Sequence, residues 1–156
     1  MRRITGLTVC VGAVFALGSF AAVASPPKDA TRTDIARAVM ANGGAVEVQP
    51  GKETTVHHAT IAPGGSTGWH SHPDGGMFMV MSGTMTTYGL DGAACEPVTI
   101  PAGQALFVPP HAHHPHLVLN KGSEPLELTS LYFNVPKGDS SRTDADAPKE
   151  CPSDLR

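Results

Sequence analysis

From residue 45 onward the chain alternates apolar and polar positions in short runs rich in Val, Thr, Ile and Phe, broken by Gly, Pro and Asp. A period of two sends successive side chains to opposite faces of an extended backbone, so such runs read as half-buried β-strands bounded by turns. The segments are 45–48, 54–62, 67–72, 77–81, 84–89, 97–100, 105–108, 114–119 and 126–135. Eight or nine short strands at this spacing imply an all-β sandwich or barrel. The 17 glycines and 14 prolines of the chain disfavour long helices beyond residue 44. Residues 33–42, TDIARAVMAN, follow another period: Thr33 or Asp34 can cap a helix, Ile35, Ala38 and Val39 form its stripe, and Gly43-Gly44 stops it. A short N-terminal helix is expected there.

Ahead of these elements, Arg2 and Arg3 precede an apolar stretch from Ile4 to Phe20, and Ala22-Val23-Ala24 stands before Ser25. A basic start, an apolar middle and a small-x-small end are the parts of a secretory signal peptide, so cleavage is expected after Ala24, with a periplasmic or secreted destination. The apolar run is short for a membrane span and no stop-transfer charges follow, so no stable membrane anchor is expected. The expected order is a signal peptide over 1–24, a leader with the short helix over 25–44, a β-barrel over 45–136 and a polar tail over 137–156.

Cleavage would take two of the 11 basic residues and none of the 14 acidic ones, for a net charge of −5. A single mildly acidic domain without a basic stripe is not expected to bind nucleic acid. Cleavage also removes Cys10 and leaves Cys95 and Cys151, an even number in a compartment where disulfides persist. These two are expected to pair and to tie down the tail.

The candidate chemistry lies in the histidines. His70 and His72 are separated by one residue, which points both imidazoles the same way off a strand, and a second group, His111, His113, His114 and His116, follows downstream. Convergence of the two groups would make a site for a divalent transition metal, with Fe, Zn, Ni, Mn and Cu all open. His57 and His58 are adjacent, face opposite ways on a strand, and read as surface or hydrogen-bonded histidines. Met77, Met79 and Met81 share one strand face opposite Phe78 and Val80, a pattern of core or homodimer contact more than of copper ligation, and Met85 adds to the group. Trp69 faces away from the histidine pair by the same parity and reads as packing. Asp74, in HPDGG, reads as a turn residue. No serine lies in a nucleophile elbow, and Gly75-Gly76 precedes a strand, where a phosphate loop needs a helix.

Gly64, five residues, His70, Ser71, His72, three residues, Gly76, six residues, Gly83 resembles the first motif of the cupin superfamily, with Gly76 where that motif usually has Glu. Gly103, five residues, Pro109, and then His116, three residues, Asn120 resembles the second motif, with a longer stretch before its histidine. The likeness spans 45–135 and is nearest to small exported single-domain cupins. It implies a jelly-roll β-barrel holding a metal on His70, His72 and His116, with His114 as the alternative third ligand. Without the glutamate, three neutral ligands would attract a small anionic or chelating molecule, and their ligand type resembles that of the three-histidine cupin dioxygenases, which lack the glutamate as well. Catalytic residues remain unassigned. The open readings are a metal-dependent enzyme such as a dioxygenase, a non-catalytic small-molecule or metal-binding module, and a metal-free interaction domain with a degenerate site.

Overall fold

The structure, a computed structural model, describes residues 27–90, 95–110 and 115–155. The expected signal peptide therefore lies outside the described residues. Residues 27–33 contain no helix or strand. The unit over 34–155 contains β1 (Val39–Met40), β2 (Glu53–Ile61), β3 (His70–Ser71), β4 (Gly76–Ser82), β5 (Thr84–Tyr88), β6 (Pro97–Pro101), β7 (Gln104–Val108), β8 (Leu117–Leu119), β9 (Leu126–Val135) and β10 (Thr143–Asp144), and one 3-10 turn, Ser153–Leu155.

One layer is a five-stranded sheet in the order β1-β7-β4-β9-β2. The other joins β6-β5-β8 to the pair β3-β10 through antiparallel bridges at Ser66–Leu119 and His70–His116. Non-consecutive neighbours in both layers make this an all-β jelly roll. Its core forms where the inward positions of the two layers meet: Phe78, Val80, Leu106 and Leu128 from one, Met85, Ile100 and Val118 from the other. The alternation is clearest in β9, where Leu126, Leu128, Ser130 and Tyr132 are buried and the residues between them are half-buried. The chain turns from β4 into β5 at Gly83, whose φ of 75° and whose Cβ position, 3.0 Å from Pro125 O, both require glycine.

Strand parity on β4 places Phe78 and Val80 in the core and Met77 and Met79 on the other, half-buried face, with Met81 exposed. Met85 is fully buried, as a core residue. Trp69 packs with Tyr88, Leu117 and Leu155, and its indole N–H donates to Leu155 O. Asp74 is a turn residue: Oδ1 accepts from Gly75 N at 2.8 Å, and Oδ2 accepts from Asn134 Nδ2.

Two expectations fail. Residues 33–42 form no helix: 33–38 have no regular structure, 39–40 form β1, parallel to β7, and 41–42 form a bend. A ten-residue helix is marginal by itself, and the residues of its apolar stripe find no core here: Ile35 is 91% and Val39 73% exposed. Strand addition offers more: Val39 N and Ala41 N donate to Gly103 O and Ala105 O, and the Asn42 side chain bonds both N and O of Phe107. Residues 45–48, expected as a strand, are irregular, because Glu47 and Gln49 bond the Asn134 side chain and join no ladder. The polar tail contributes β10 and the 3-10 turn.

The Cys95–Cys151 disulfide closes a separation of 56 residues. Closing a loop of that length restricts the unfolded chain by about 4 kcal/mol in the chain-entropy model. Cys95→Ser or Cys151→Ser is expected to lower the unfolding free energy by about 2–4 kcal/mol in denaturant titration, and alkylation of the unreduced protein is expected to modify neither cysteine. Asn120 is 1% exposed, donates through Nδ2 to Ile61 O and Glu124 O at 2.8 Å each, and accepts from Gly122 N at 3.0 Å. Asn120→Ala strands these backbone groups, so a loss of about 2–3 kcal/mol is expected by the same titration, and Asn120→Asp, which turns a buried carboxylate onto two carbonyl oxygens, loses at least as much.

Candidate metal centre

His70 opens β3 and His72 follows one residue past Ser71, so the two side chains leave the same face. His116 stands just before β8 and exchanges both backbone hydrogen bonds with His70: His70 N donates to His116 O at 3.0 Å and His116 N to His70 O at 2.8 Å. Directly opposed residues in such a pair project their side chains to one side. The three imidazoles therefore meet: ring centroids are 5.0 Å (His70–His72), 4.3 Å (His70–His116) and 4.9 Å (His72–His116) apart. One ring nitrogen from each lies within 4.8 Å of the other two, and all three residues are buried.

Two of the rings are oriented by backbone carbonyls. His70 Nδ1 lies 2.9 Å from Gly68 O and His72 Nδ1 2.6 Å from Ser141 O. A carbonyl accepts only, so both Nδ1 atoms carry the hydrogen and Nε2 holds the lone pair. His72 Nε2 is buried with no hydrogen-bond partner among the described residues. An uncompensated buried acceptor costs stability unless something occupies it, and a metal ion is the partner that three convergent imidazoles suit. Burial, the largest cause, pushes the protonation of His72 down from 6.5 to about 4 and that of His70 down as well, although each carbonyl bond opposes the change. Both rings are thus neutral, the form that ligates.

Gly76 is the register partner of Tyr132 on β9. A Cβ at Gly76 would lie 3.0 Å from Tyr132 Cδ1 and 3.0 Å from Leu131 O, so the phenol ring fills the space a side chain at 76 would take. That ring stacks on His72 with centroids 4.1 Å apart. Burial pushes the Tyr132 hydroxyl up, against a hydrogen bond with Ser130 that lowers it, so the phenol stays protonated at neutral pH.

His70, His72 and His116 are brought together, while His111, His113 and His114 lie outside the described residues. His58 pairs with Glu127 at 2.7 Å on the surface. His57 is hydrogen-bonded to Ser141 Oγ at 3.1 Å and also lines the cavity beside the three histidines, a position its parity with Ala59 and Ile61 on β2 could have shown. Tyr132, Ser141 and Arg142 line the same cavity and went unnoticed. Tyr132 was accessible from the alternation of β9; nothing in the polar tail signalled Ser141 or Arg142.

Comparison with the curated proteins returns no match. Among solved structures, a chain from crystal structures of DMSP lyases is 24% identical with a TM-score of 0.49, covering 60% of this chain and 44% of that one. This chain thus spans less than half the length of that lyase. An uncharacterized conserved protein with a double-stranded β-helix domain from Klebsiella pneumoniae subsp. pneumoniae is 22% identical, TM-score 0.49, covering 65% of this chain and 80% of that one. Oxalate oxidase is 24% identical, TM-score 0.44, covering 53% and 42%. The family model described as Cupin domain matches residues 57–132, from the middle of β2 to Tyr132, and so includes all three convergent histidines. With its jelly-roll layers and that match, this chain is a cupin-domain protein.

Proposed function

We propose that the protein is an exported cupin that holds one divalent transition metal on His70, His72 and His116 and presents it to a small anionic or chelating molecule. The observation that carries this reading is the convergence of three buried imidazoles, two of them held in the ligating tautomer by Gly68 O and Ser141 O. A bound ion would supply Lewis acidity and coordination positions open to a ligand. The chain's own groups do the rest: Tyr132 walls off the side where Gly76 brings no carboxylate, burial keeps His70 and His72 neutral, and a cavity of about 300 Å³ opens beside them. Three neutral ligands leave the charge of the ion uncompensated, which favours an anionic ligand. The Cys95–Cys151 bridge supports an oxidising compartment such as the periplasm or the outside of the cell.

Protein purified without a histidine tag is expected to carry ~1 transition-metal ion per chain by elemental analysis, and His70→Ala, His72→Ala and His116→Ala each to lose most of it. Equal metal content in all four proteins would rule out this ligand set. Oxygen uptake by iron-, nickel- or copper-loaded protein with catechols or flavonols tests whether the centre is that of a dioxygenase.

A pH dependence follows from His72. Its folded value near 4 lies below the unfolded 6.5, so between these values the unfolded chain binds more protons than the folded one. The stability of the metal-stripped protein is expected to be constant, for this group, above pH 6.5 and to fall as pH drops toward 4. His72→Gln is expected to flatten that part of the profile, as read from thermal unfolding midpoints in chelator.

A further inference from the structure

The cavity beside the histidines has a volume of about 300 Å³, with apolar walls from Ala59, Phe78, Val118 and Leu128. Among the described residues that line it, Arg142 is the one Arg or Lys, and none is Asp or Glu. Arg142 comes from the tail, beyond residue 132 where the cupin match ends. Its guanidinium is braced, with Nη2 donating to Thr67 O at 2.8 Å and Nε to Asp144 Oδ1 at 2.8 Å. These bonds leave Nη1 without a protein acceptor among the described residues. The Asp144 side chain is 84% exposed, so water screens much of its charge, whereas that of Arg142 is 36% exposed.

A metal ion on three neutral ligands and a fixed guanidinium put two positive centres around one apolar space that contains no carboxylate. The complement is an anion with an apolar body. A planar guanidinium with rigidly placed donors matches a carboxylate, and the walls match a short hydrocarbon or aromatic portion. We propose that Arg142 anchors the carboxylate of a small organic acid whose apolar body lies between these walls and the three-histidine centre. This assignment rests on the metal-centre reading above and adds the residue and the ligand class.

The test is calorimetric titration of the zinc-loaded full chain with acetate, butanoate and benzoate, and with benzamide as the uncharged match for benzoate. Benzoate is expected to bind best and benzamide about tenfold or more weaker; Arg142→Met and Arg142→Gln are expected to weaken benzoate about tenfold or more while zinc content stays at the wild-type level. Equal benzoate affinity in wild type and either folded neutral variant overturns the proposal, as does failure of wild type to bind any of the three carboxylates. Thermal unfolding checks each variant, and if neither folds, equal binding of benzoate and benzamide by wild type overturns it instead. Wild type that takes up no zinc but binds benzoate in an Arg142-dependent way refutes the metal reading and leaves the anchor standing.

Discussion

The site depends on one antiparallel pairing. His70 and His116 belong to distant stretches of chain, yet their backbones exchange hydrogen bonds at 3.0 and 2.8 Å and so stand directly opposite each other. In that geometry the two side chains have no choice but to share a face, and His72, two residues on from His70, joins them by strand parity. A shift of register by one residue would send one partner to the opposite face of its layer. Several contacts hold the register in place. Thr67 N donates to Val118 O, Gly64 N to Asn120 O and Asn120 N to Gly65 O, while the Asn120 side chain staples Ile61 O and Glu124 O. The cost of concentrating three imidazoles in a buried space is therefore met by a backbone ladder and by core packing from Phe78, Val118 and Leu128 around it.

What could be read from the sequence followed from periodicity and from spacing. Strand β9 was expected over 126–135 and is found there, because its alternation is long and its inward residues are large. The parity that set Phe78 and Val80 against the methionines of β4 also held, since a strand with a core on one face allows one register. Spacing within WHSHP pointed to two of the three histidines that converge, and the place of His116 relative to Asn120 pointed to the third. The helix over 33–42 is expected on local preference alone, whereas that segment is decided by an edge it meets in space: β1 adds to β7, as β10 adds to β3. Two-residue strands have no periodicity to read, and an open sheet edge leaves no trace in the sequence of the segment that will cover it.

Gly76 and Tyr132 show how one backbone pairing can change the chemistry of a site. They are cross-strand partners, and the ring lies over the glycine closely enough that a Cβ there would approach it to 3.0 Å. Glycine at 76 and tyrosine at 132 are therefore one arrangement and not two independent choices. Where a side chain at 76 could bring a negative charge, this chain has a neutral phenol stacked on His72. The charge around the histidines is then set from elsewhere.

That charge comes from the tail, and the tail is bound along the same stretch that carries His70 and His72. Ser71 and His70 pair with Thr143 and Asp144, Ala145 N donates to Trp69 O, Arg142 Nη2 donates to Thr67 O, and the Trp69 indole reaches Leu155 O. Every residue from Thr67 to His72 except Gly68 thus has a bond or register partner in the tail, and Gly68 O holds His70 directly. Because Ser141 O orients His72 and Arg142 charges the cavity, the segment that ends beyond the matched domain completes the interior of the domain. The Cys95–Cys151 bridge, which anchors this segment to the loop before β6, then has a second consequence besides its effect on the unfolded chain. It restricts how far the tail can leave β3, and so it limits the disorder available to His72 and Arg142 alike. A bridge far from the histidines in sequence thereby serves the geometry of the centre, by holding in place the segment that supplies an acceptor to His72 and the cation beside all three histidines.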